Sequence, residues 1–383
     1  MKGLPADLKT LLVAPHMAGG WSAERWSRVA YLAQAAGVLT RISVDLTEAG
    51  KRTGLPQGLE GCLLSAERNG ARNQVRLSWE MDRIKRVFWD RDIKIVLLKG
   101  AAYLAGDIPC TRGRLSSDMD ILVAKDELAG VEATLLDAGW VSAKEIQGDA
   151  EDYDDLYYRR WMHELPPLVH EGRGTVIDVH HTILPPTGRV TADGSELLEL
   201  AVPVESLAAT EVEAANDPAE RSRQGYYVLC DTDMLLHSTV HLFQDGEIRG
   251  GLRDLVDQRD MIAHFADRPG FWDRLIARAE YLGLGRPLFY SLRYAEALLD
   301  APVPEPALKA SQRFAPPLPV RLLMDLLVPR ALTPTYLFDS NRVVNFAGEL
   351  LYMRSHWLRM PPVMLARHLA IKAWRRAGGT KTA

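Results

Sequence analysis

Two aspartates, Asp118 and Asp120, stand at the start of an apolar run that continues to Val123. Alternate residues of an extended strand point to the same face, so these carboxylates are expected to project together while Met119 and Ile121 face a core. Carboxylates held this close repel one another unless a cation neutralises them. The pattern therefore predicts a site for a hard divalent ion such as Mg²⁺, which takes oxygen ligands from carboxylates and substrate phosphates.

A third acid, Asp178, lies in the later apolar segment 175–183. An acid inside a β-branched strand runs against β-propensity, so its presence needs a reason. By strand alternation Asp178 shares a face with His180. If the two strands are neighbours, the three acids converge on one or two metal ions. The alternatives are a solvated strand end for the first pair and an ion pair with an arginine for Asp178.

Cationic groups flank the acid pair. Residues 93–98 form a continuous β-branched and leucine run, typical of a strand buried on both faces, and this run ends at Lys99 and Gly100. Lys99 is a point charge suited to phosphate, and Gly100 permits close backbone approach. Arg114 precedes the acids, and its guanidinium matches phosphate oxygens bidentately. A solvated loop or an ion pair with the acids is the alternative for Arg114.

Composition narrows the class of protein. The chain has 383 residues, enough for two or three domains or one large domain with appendages. With 46 basic and 50 acidic residues, it has no global positive field for nucleic acid. Cys62, Cys110 and Cys230 are far apart, which argues against a disulfide framework or a cysteine zinc site, and each is expected to be buried or half-buried. Without a secretory leader or an apolar run of about 20 residues, a cytoplasmic protein is expected.

The periodicities predict an α+β fold: a small mixed β-sheet core flanked by N-terminal and C-terminal helical regions. A hairpin is expected around the turn at residues 171–174. The predicted divisions are an N-terminal helical region (1–90), a catalytic core (91–185), an irregular wrapping segment (186–225) and a C-terminal helical domain (226–383).

Three details of the helical regions follow from local signals. Ser22 is a plausible N-cap for a helix over residues 22–36. A second helix is expected over residues 62–90, and residues 302–319 are expected to form a proline-rich connector. The core stripe of the second helix is expected to contain Trp79, Ile84, Val87 and Phe88.

The order of these motifs resembles a known superfamily. The series K-G, helix, R-x-x-S-D-x-D-I-L-V, helix and V-I-D-V-H-H is similar to the polymerase-β type of nucleotidyltransferase. More narrowly, it resembles the largely uncharacterised bacterial nucleotidyltransferase family with an L-K-G motif and a D-I-D-L-L-V strand. The resemblance covers residues 90–185 well and extends more weakly into the C-terminal helices, through LLHSTVHLF and LRDLVDQRDMI.

The resemblance implies transfer of a nucleoside monophosphate from an NTP such as ATP to an acceptor. It implies that Asp118 and Asp120 hold Mg²⁺, or Mn²⁺, on the triphosphate, and that Asp178 completes the second metal site and activates the acceptor hydroxyl. Superfamily members commonly carry Gly-Ser where this chain has Lys99 and Gly100. Ser116 or Ser117 is then the expected source of the hydroxyl that contacts phosphate.

The acceptor is expected to be a small molecule, a peptide or a protein side chain, because no basic stripe with interleaved aromatic residues favours nucleic acid. His180 and His163 are candidates for substrate contact. One alternative is a catalytically inactive nucleotide-binding or regulatory protein on the same scaffold, which the missing Gly-Ser pair favours. Another is a different metal-assisted phosphoryl reaction, such as hydrolysis of a nucleotide.

Two groups in the C-terminal part have competing interpretations. His237 and His241 have the spacing that chelates zinc on a helix, but core or interface histidines are favoured because no third ligand is near in sequence. Arg253, Asp254 and Asp257 either line the cleft or pair with one another along their helix, and pairing is favoured.

Overall fold

A mixed β-sheet lies at the centre of the computed structural model, which describes residues 3–143, 159, 161–204, 225–245, 248–335, 342–363 and 365–366. Helices flank this sheet, so the predicted α+β class is confirmed. In the described part of the chain the sheet has seven strands. They are β1 (Val96–Leu97), β2 (Asp118–Leu122), β3 (Trp140–Ser142), β4 (Leu168–His170), β5 (Val176–His180), β6 (Val202–Pro203) and β7 (Tyr227–Val228).

The strand order is β3-β4-β5-β2-β1-β7-β6, which places β2 in the middle of the sheet. β2 pairs antiparallel with β1 and parallel with β5. β4 and β5 pair antiparallel across the turn predicted at residues 171–174, so the expected hairpin is confirmed. The strand predicted over residues 93–98 is shorter than expected, because only Val96 and Leu97 pair as a strand, although Ile95 and Leu98 are also buried.

The predicted N-terminal helical region contains four helices. They are α1 (Ala6–Val13), α2 (Ala23–Ala35), α3 (Leu39–Glu48) and α4 (Leu59–Val87), of which α3 was not expected. Ser22 caps α2, since its hydroxyl accepts a hydrogen bond from the Arg25 amide at 3.3 Å.

The long helix α4 buries one face and exposes the other. Leu77, Met81 and Ile84 are buried, but Trp79 is 62% exposed, so its predicted place in the core stripe is wrong. Trp79 lies two positions from both Leu77 and Met81, which is about 200° around the helix and therefore on its opposite side. Val87 is only half-buried.

Three short helices are interleaved with the strands, and seven more follow within the described residues. The interleaved helices are α5 (Lys99–Ala105), α6 (Leu128–Asp137) and α7 (Gly194–Glu199). The later ones are α8 (Asp231–Val240), α9 (Leu252–Phe265), α10 (Phe271–Tyr281), α11 (Gly285–Leu299), α12 (Glu305–Ser311), α13 (Leu318–Leu332) and α14 (Arg342–Arg359).

Two segments predicted to be irregular contain helices. α12 lies within the proline-rich segment 302–319, with Pro304 before its first residue and Pro306 in its first turn, where the missing amide of proline is harmless. α7 and β6 lie within residues 186–225, of which 205–224 are outside the described residues.

A single cluster of buried apolar side chains runs from α1 through the sheet to the C-terminal helices. The division into the four predicted regions stays a prediction. Cys110 is buried and Cys230 half-buried, but Cys62 is exposed, contrary to expectation, because it lies on the outer side of α4. Among the described helices none has the length and apolar character needed to cross a membrane.

Candidate active site

Parallel pairing of β2 and β5 places two of the predicted acids side by side. Asp120 and Asp178 are register partners, and Asp118 lies opposite Val176. Because register partners on neighbouring strands point to the same face, Asp118, Asp120 and Asp178 share one face of the sheet. Asp120 is 2% exposed, whereas Asp118 is half-buried and accepts a hydrogen bond from the Ser117 hydroxyl at 3.0 Å.

Lys99 neutralises Asp120. It is the first residue of α5, it has a positive φ of 45°, and its Nζ lies 2.6 Å from Asp120 Oδ1. Burial alone would lower the pKa of Lys99, but the Asp120 carboxylate raises this pKa above its usual value. Burial alone would raise the pKa of Asp120, but the Lys99 ammonium and His180 hold it well below its ordinary value. Asp120 is therefore ionised and paired.

Asp178 has no such partner. Its Oδ1 is enclosed and has no hydrogen-bond partner among the described residues. Burial, followed by the nearby carboxylates of Asp120 and Glu164, raises the pKa of Asp178 to about 7. A cation close to Asp178 would lower this raised pKa and stabilise the ionised carboxylate. Asp178 is thus the acid that the protein itself leaves uncompensated.

His180 lies between two acids at the end of β5. Its Nε2 is 3.2 Å from Asp120 Oδ1 and 3.3 Å from Glu164 Oε2. Burial would lower the pKa of His180, but Glu164 and Asp120 outweigh burial and raise it. The His163 ring lies 5.3 Å from the His180 ring, centroid to centroid. Both histidines predicted to contact substrate therefore border the aspartate cluster.

Arg114 is buried in an ion pair with an acid of the helical region, not with the strand acids. Its Nε donates to Asp257 Oδ2 at 2.8 Å, and its Nη1 donates to Ser116 Oγ at 2.7 Å. The guanidinium also lies over the Tyr103 ring, 5.4 Å from the ring centroid. Burial, partly offset by Arg114, raises the pKa of Asp257 to about 6. Arg114 is therefore fixed in place at the cleft.

Gly100 allows this packing. A Cβ at position 100 would overlap the Ser116 hydroxyl and the Arg114 guanidinium. The predicted close approach at Gly100 is thus made by the protein's own side chains. Any larger residue at this position would displace Ser116 and Arg114 together.

The long helix α4 holds the loop that precedes β2. The Ser116 amide donates to Asn73 Oδ1 at 2.8 Å, and Asn73 Nδ2 donates to the Ser116 carbonyl at 2.8 Å. Arg76 Nη2 donates to the same carbonyl at 3.0 Å. These contacts fix the backbone between Arg114 and Asp118, so the N-terminal helical region takes part in shaping the site.

A cavity of about 130 Å³ opens beside the strand acids, and its lining contains Asp118 and Asp120 but neither Asp178 nor His180. Lys99, Arg114, Ser116, Asp118 and Asp120 line one side of it. The other side comes from α8, α9 and the turn between them, and it includes Ser238, His241, Arg253, Asp254 and Asp257. A larger cavity of about 840 Å³ between α1, α2 and α13 contains none of the predicted site residues. The chemistry therefore concentrates in the smaller cavity.

A protein-family model described as an uncharacterised nucleotidyltransferase matches residues 22–300. The chain belongs to this nucleotidyltransferase family. The match extends beyond residues 90–185 on both sides and takes in the N-terminal helices from α2 onward. Comparison with the curated proteins and with the solved structures gave no match.

The three aspartates have the ligand chemistry that Mg²⁺ prefers, since all their donors are carboxylate oxygens. The enclosed, unpartnered Oδ1 of Asp178 fits such an ion. Arg253, Asp254 and Asp257 of α9 line the cavity, and Arg253 also pairs with Asp254 at 3.3 Å, so each of the two sequence interpretations agrees with the structure in part. Arg253 also donates to the Leu115 carbonyl at 3.3 Å, which connects α9 to the loop before β2.

Several contacts of the candidate site could not be inferred from the sequence. Glu164 and Asn73 carry no motif, and only their docking onto His180 and Ser116 reveals them. His237 is buried, and burial lowers its pKa well below the usual value, while His241 lies 3.9 Å from Asp254. The favoured interpretation, core or interface histidines, agrees with the burial of His237, while His241 lines the cavity.

Proposed function

We propose that this protein is an Mg²⁺-dependent nucleotidyltransferase of the polymerase-β type, which moves a nucleoside monophosphate from an NTP to a hydroxyl-bearing acceptor. One observation carries the proposal: Asp120 and Asp178 are register partners on adjacent parallel strands, with Asp118 on the same face and, beside them, a cavity whose lining contains Lys99, Arg114 and Arg253 as well as carboxylates. Carboxylates from two neighbouring strands meeting at one site are what a two-metal phosphoryl-transfer centre needs.

In this proposal Asp118 and Asp120 would hold Mg²⁺ with the triphosphate, and Asp178 would complete the site of a second ion. The ions would supply positive charge where negative charge develops during an in-line displacement. The acceptor oxygen forms a bond to the α-phosphorus, the bond to pyrophosphate breaks, and Asp178 receives the acceptor's proton. Bound Mg²⁺ would favour the ionised form of Asp178, and this is the form that can accept a proton.

Phosphate contacts are assigned to Lys99, Arg114 and Ser116. Lys99 is paired with Asp120, so it must leave this carboxylate to contact a phosphate oxygen when Asp120 binds metal. Arg114 and Ser116 already lie at the cavity wall, held by one another. The cavity is smaller than the ~300 Å³ at the lower end of ligand pockets, so the cleft must widen to admit a whole NTP.

The acceptor is proposed to be a small molecule, a peptide or a protein side chain. Its hydroxyl would approach from the side of β5, where Asp178, His180 and His163 lie. The ATP preference, like the choice of Mg²⁺ over Mn²⁺, is part of the proposal. Positioning and charge stabilisation would supply most of the rate enhancement, as in other phosphoryl transfers.

The test is incubation with each α-labelled NTP and Mg²⁺, with and without cell extract, for the wild type, Asp178→Asn and Asp126→Asn. Asp126 is exposed and outside the site, so Asp126→Asn controls for the loss of one negative charge. We expect pyrophosphate release and transfer of label by the wild type and by Asp126→Asn, with at least a hundredfold loss in Asp178→Asn. Release of pyrophosphate or phosphate without transfer of label to any acceptor would instead indicate nucleotide hydrolysis.

The Lys99–Asp120 contact favours one alternative, a nucleotide-binding or regulatory protein without turnover. An ammonium 2.6 Å from Asp120 already supplies the positive charge that a metal would bring. In that case the wild type would bind NTP without releasing pyrophosphate, and Asp178→Asn would bind NTP as tightly as the wild type. That outcome would replace nucleotidyl transfer with nucleotide sensing as the proposed function.

A further inference from the structure

A second group of metal-binding side chains adjoins the aspartates. His163, Glu164 and His180 each offer one ligand atom, and these three atoms lie within 4.8 Å of one another. Glu164 Oε2 is 3.3 Å from His180 Nε2 and 3.7 Å from His163 Nε2. The next acceptor is Asp120 Oδ1, 3.2 Å from His180 Nε2. None of the three ligand candidates, His163, Glu164 and His180, belongs to the three-aspartate set.

The backbone fixes the three residues relative to one another. The segment containing His163 and Glu164 runs antiparallel to the end of β5, with Glu164 opposite His180. The His181 amide donates to the His163 carbonyl at 2.9 Å, and the Leu165 amide donates to the Val179 carbonyl at 2.9 Å. A bend at residues 162–163 turns the chain, so that the consecutive residues His163 and Glu164 both face His180.

The spacing of these atoms fits a small transition-metal ion. Zinc lies about 2.0–2.1 Å from histidine nitrogen and carboxylate oxygen, so the ligand atoms of a tetrahedral site are roughly 3.3 Å apart. The separations of 3.3 and 3.7 Å from Glu164 Oε2 are close to that value. The two histidine rings are buried, which limits their freedom, while the Glu164 side chain is 16% exposed and leaves a route of entry.

The donor set selects the class of ion. Two imidazole nitrogens and one carboxylate suit Zn²⁺ and its first-row neighbours, whereas Mg²⁺ takes oxygen ligands. Two histidines and one glutamate are also the ligands of zinc sites that keep one position open. The cluster therefore differs in chemistry from the all-carboxylate site of Asp118, Asp120 and Asp178.

We propose that His163, Glu164 and His180 bind one transition-metal ion of the Zn²⁺ class, next to the nucleotidyltransferase site and separate from its Mg²⁺. The ion links the end of β5 to the segment that contains His163 and Glu164, and it leaves one coordination position open beside Asp120. This site does not depend on nucleotidyl transfer, because none of its three ligands is assigned to the triphosphate or to Mg²⁺.

The test uses Co²⁺ as a spectroscopic probe and Zn²⁺ as its competitor, on full-length protein freed of metal by a chelator and without an affinity tag. We expect one equivalent of Co²⁺ to give the intense visible bands of a tetrahedral site, and one equivalent of Zn²⁺ to abolish them. Zn²⁺ should also raise the melting temperature, because an ion that binds only the folded state stabilises it.

Matched variants locate the site. His163→Ala and Glu164→Gln are expected to weaken Co²⁺ binding at least tenfold, whereas His16→Ala, which changes an exposed histidine, should bind as the wild type does. Asp178→Asn should lose nucleotidyl transfer and keep the Co²⁺ spectrum, so failure of one proposal is distinguishable from failure of the other. Glu164→Gln preserves side-chain size, and circular dichroism verifies its fold.

Two results would overturn the proposal. One is a folded wild type that shows no tetrahedral Co²⁺ spectrum at a few equivalents of the ion. The other is a folded Glu164→Gln variant whose Co²⁺ affinity equals that of the wild type. In either case His180 would only share hydrogen bonds between Asp120 and Glu164.

Discussion

The two walls of the cavity differ in how their charges are balanced. On the helical wall both acids of α9 are paired with arginines: Asp257 pairs with Arg114, which comes from the loop before β2, and Asp254 pairs with Arg253. On the sheet, four carboxyl groups cluster near one lysine, two of them on the cavity wall and two beside it, with His180 between two of the four. These four acids are Asp118, Asp120, Glu164 and Asp178.

This difference suggests two roles for the charged groups. The paired charges stabilise the cleft, and the unpaired carboxyl groups are available to bind a metal ion or to transfer a proton. In a buried ion pair the two charges neutralise each other, so the pair fixes the positions of both side chains and needs no additional cation. A cluster of acids with too few cations keeps one carboxyl group protonated, as the raised pKa of Asp178 indicates. Binding of a metal ion is therefore expected to be most favourable beside the sheet acids and least favourable beside the paired acids of the helical wall.

The largest expected effect comes from removing the one complete pair of the sheet wall. Asp120→Asn leaves the Lys99 ammonium buried without its carboxylate, and breaking a buried pair this way costs about 3–5 kcal/mol. Urea unfolding without divalent ions measures the loss, with the exposed Asp126→Asn as control. A loss within the error of that control would mean that Lys99 finds other partners and that the sheet wall is less constrained than its geometry implies.

A somewhat smaller effect is expected on the helical wall. Arg114→Met leaves the buried Asp257 carboxylate without its cationic partner, and we expect a loss of about 3 kcal/mol in the free energy of unfolding. The double variant Arg114→Met/Asp257→Leu should recover most of this loss, because no unpaired charge remains. If Arg114 binds phosphate, the double variant stays stable but binds NTP poorly. Recovery of both stability and NTP binding would leave Arg114 a purely structural role.

The sequence was most informative about the strand acids. Alternation along β2 predicted that Asp118 and Asp120 share a face, and the apolar surroundings of Asp178 marked it as an acid with a reason to be there. The structure brings all three to one face. These inferences succeed because strand periodicity is local, so it does not depend on how distant parts of the chain dock.

Partners from distant segments could not be predicted in this way. Lys99 was expected to meet phosphate but pairs with Asp120, and Arg114 pairs with Asp257, 143 residues further along the chain. Asn73 lies on a helix that carries no catalytic signal, yet it holds Ser116. Such contacts depend on packing across the whole fold, and a single sequence contains no periodic signal for them. The predicted roles of the site residues stay predictions.

A third effect has the opposite sign, because Asp178 is a destabilising acid when no metal is bound. The pKa of Asp178 is raised from 3.8 to about 7, so the folded state keeps a proton that the unfolded chain releases, and stability is lost as pH rises from about 4 to about 7. At pH 8 without divalent ions, Asp178→Asn should be more stable than the wild type by about 1–3 kcal/mol. Below pH 4 the difference should vanish.

Saturating Mg²⁺ should reverse this order, since the wild type has all three carboxylates and gains more from binding the ion than a variant that lacks one of them. Thermal unfolding at pH 8, with and without Mg²⁺, compares the two proteins directly. If Asp178→Asn were less stable than the wild type in the absence of metal, the Asp178 carboxylate would have a stabilising partner in the folded protein, and this prediction would be wrong.

The smallest effect is expected at Arg112, which lies two residues from Arg114 but outside the cavity. Arg112 pairs with Glu48 at 3.2 Å, and both side chains are more than half exposed. Water screens such a pair, so Arg112→Ala should change the free energy of unfolding by no more than about 0.5 kcal/mol. NTP turnover should equal that of the wild type, measured beside Arg114→Met under the same conditions. A large loss of turnover in Arg112→Ala would have no structural explanation, because the Arg112–Glu48 pair is exposed. It would indicate that Arg112 also contacts the phosphates.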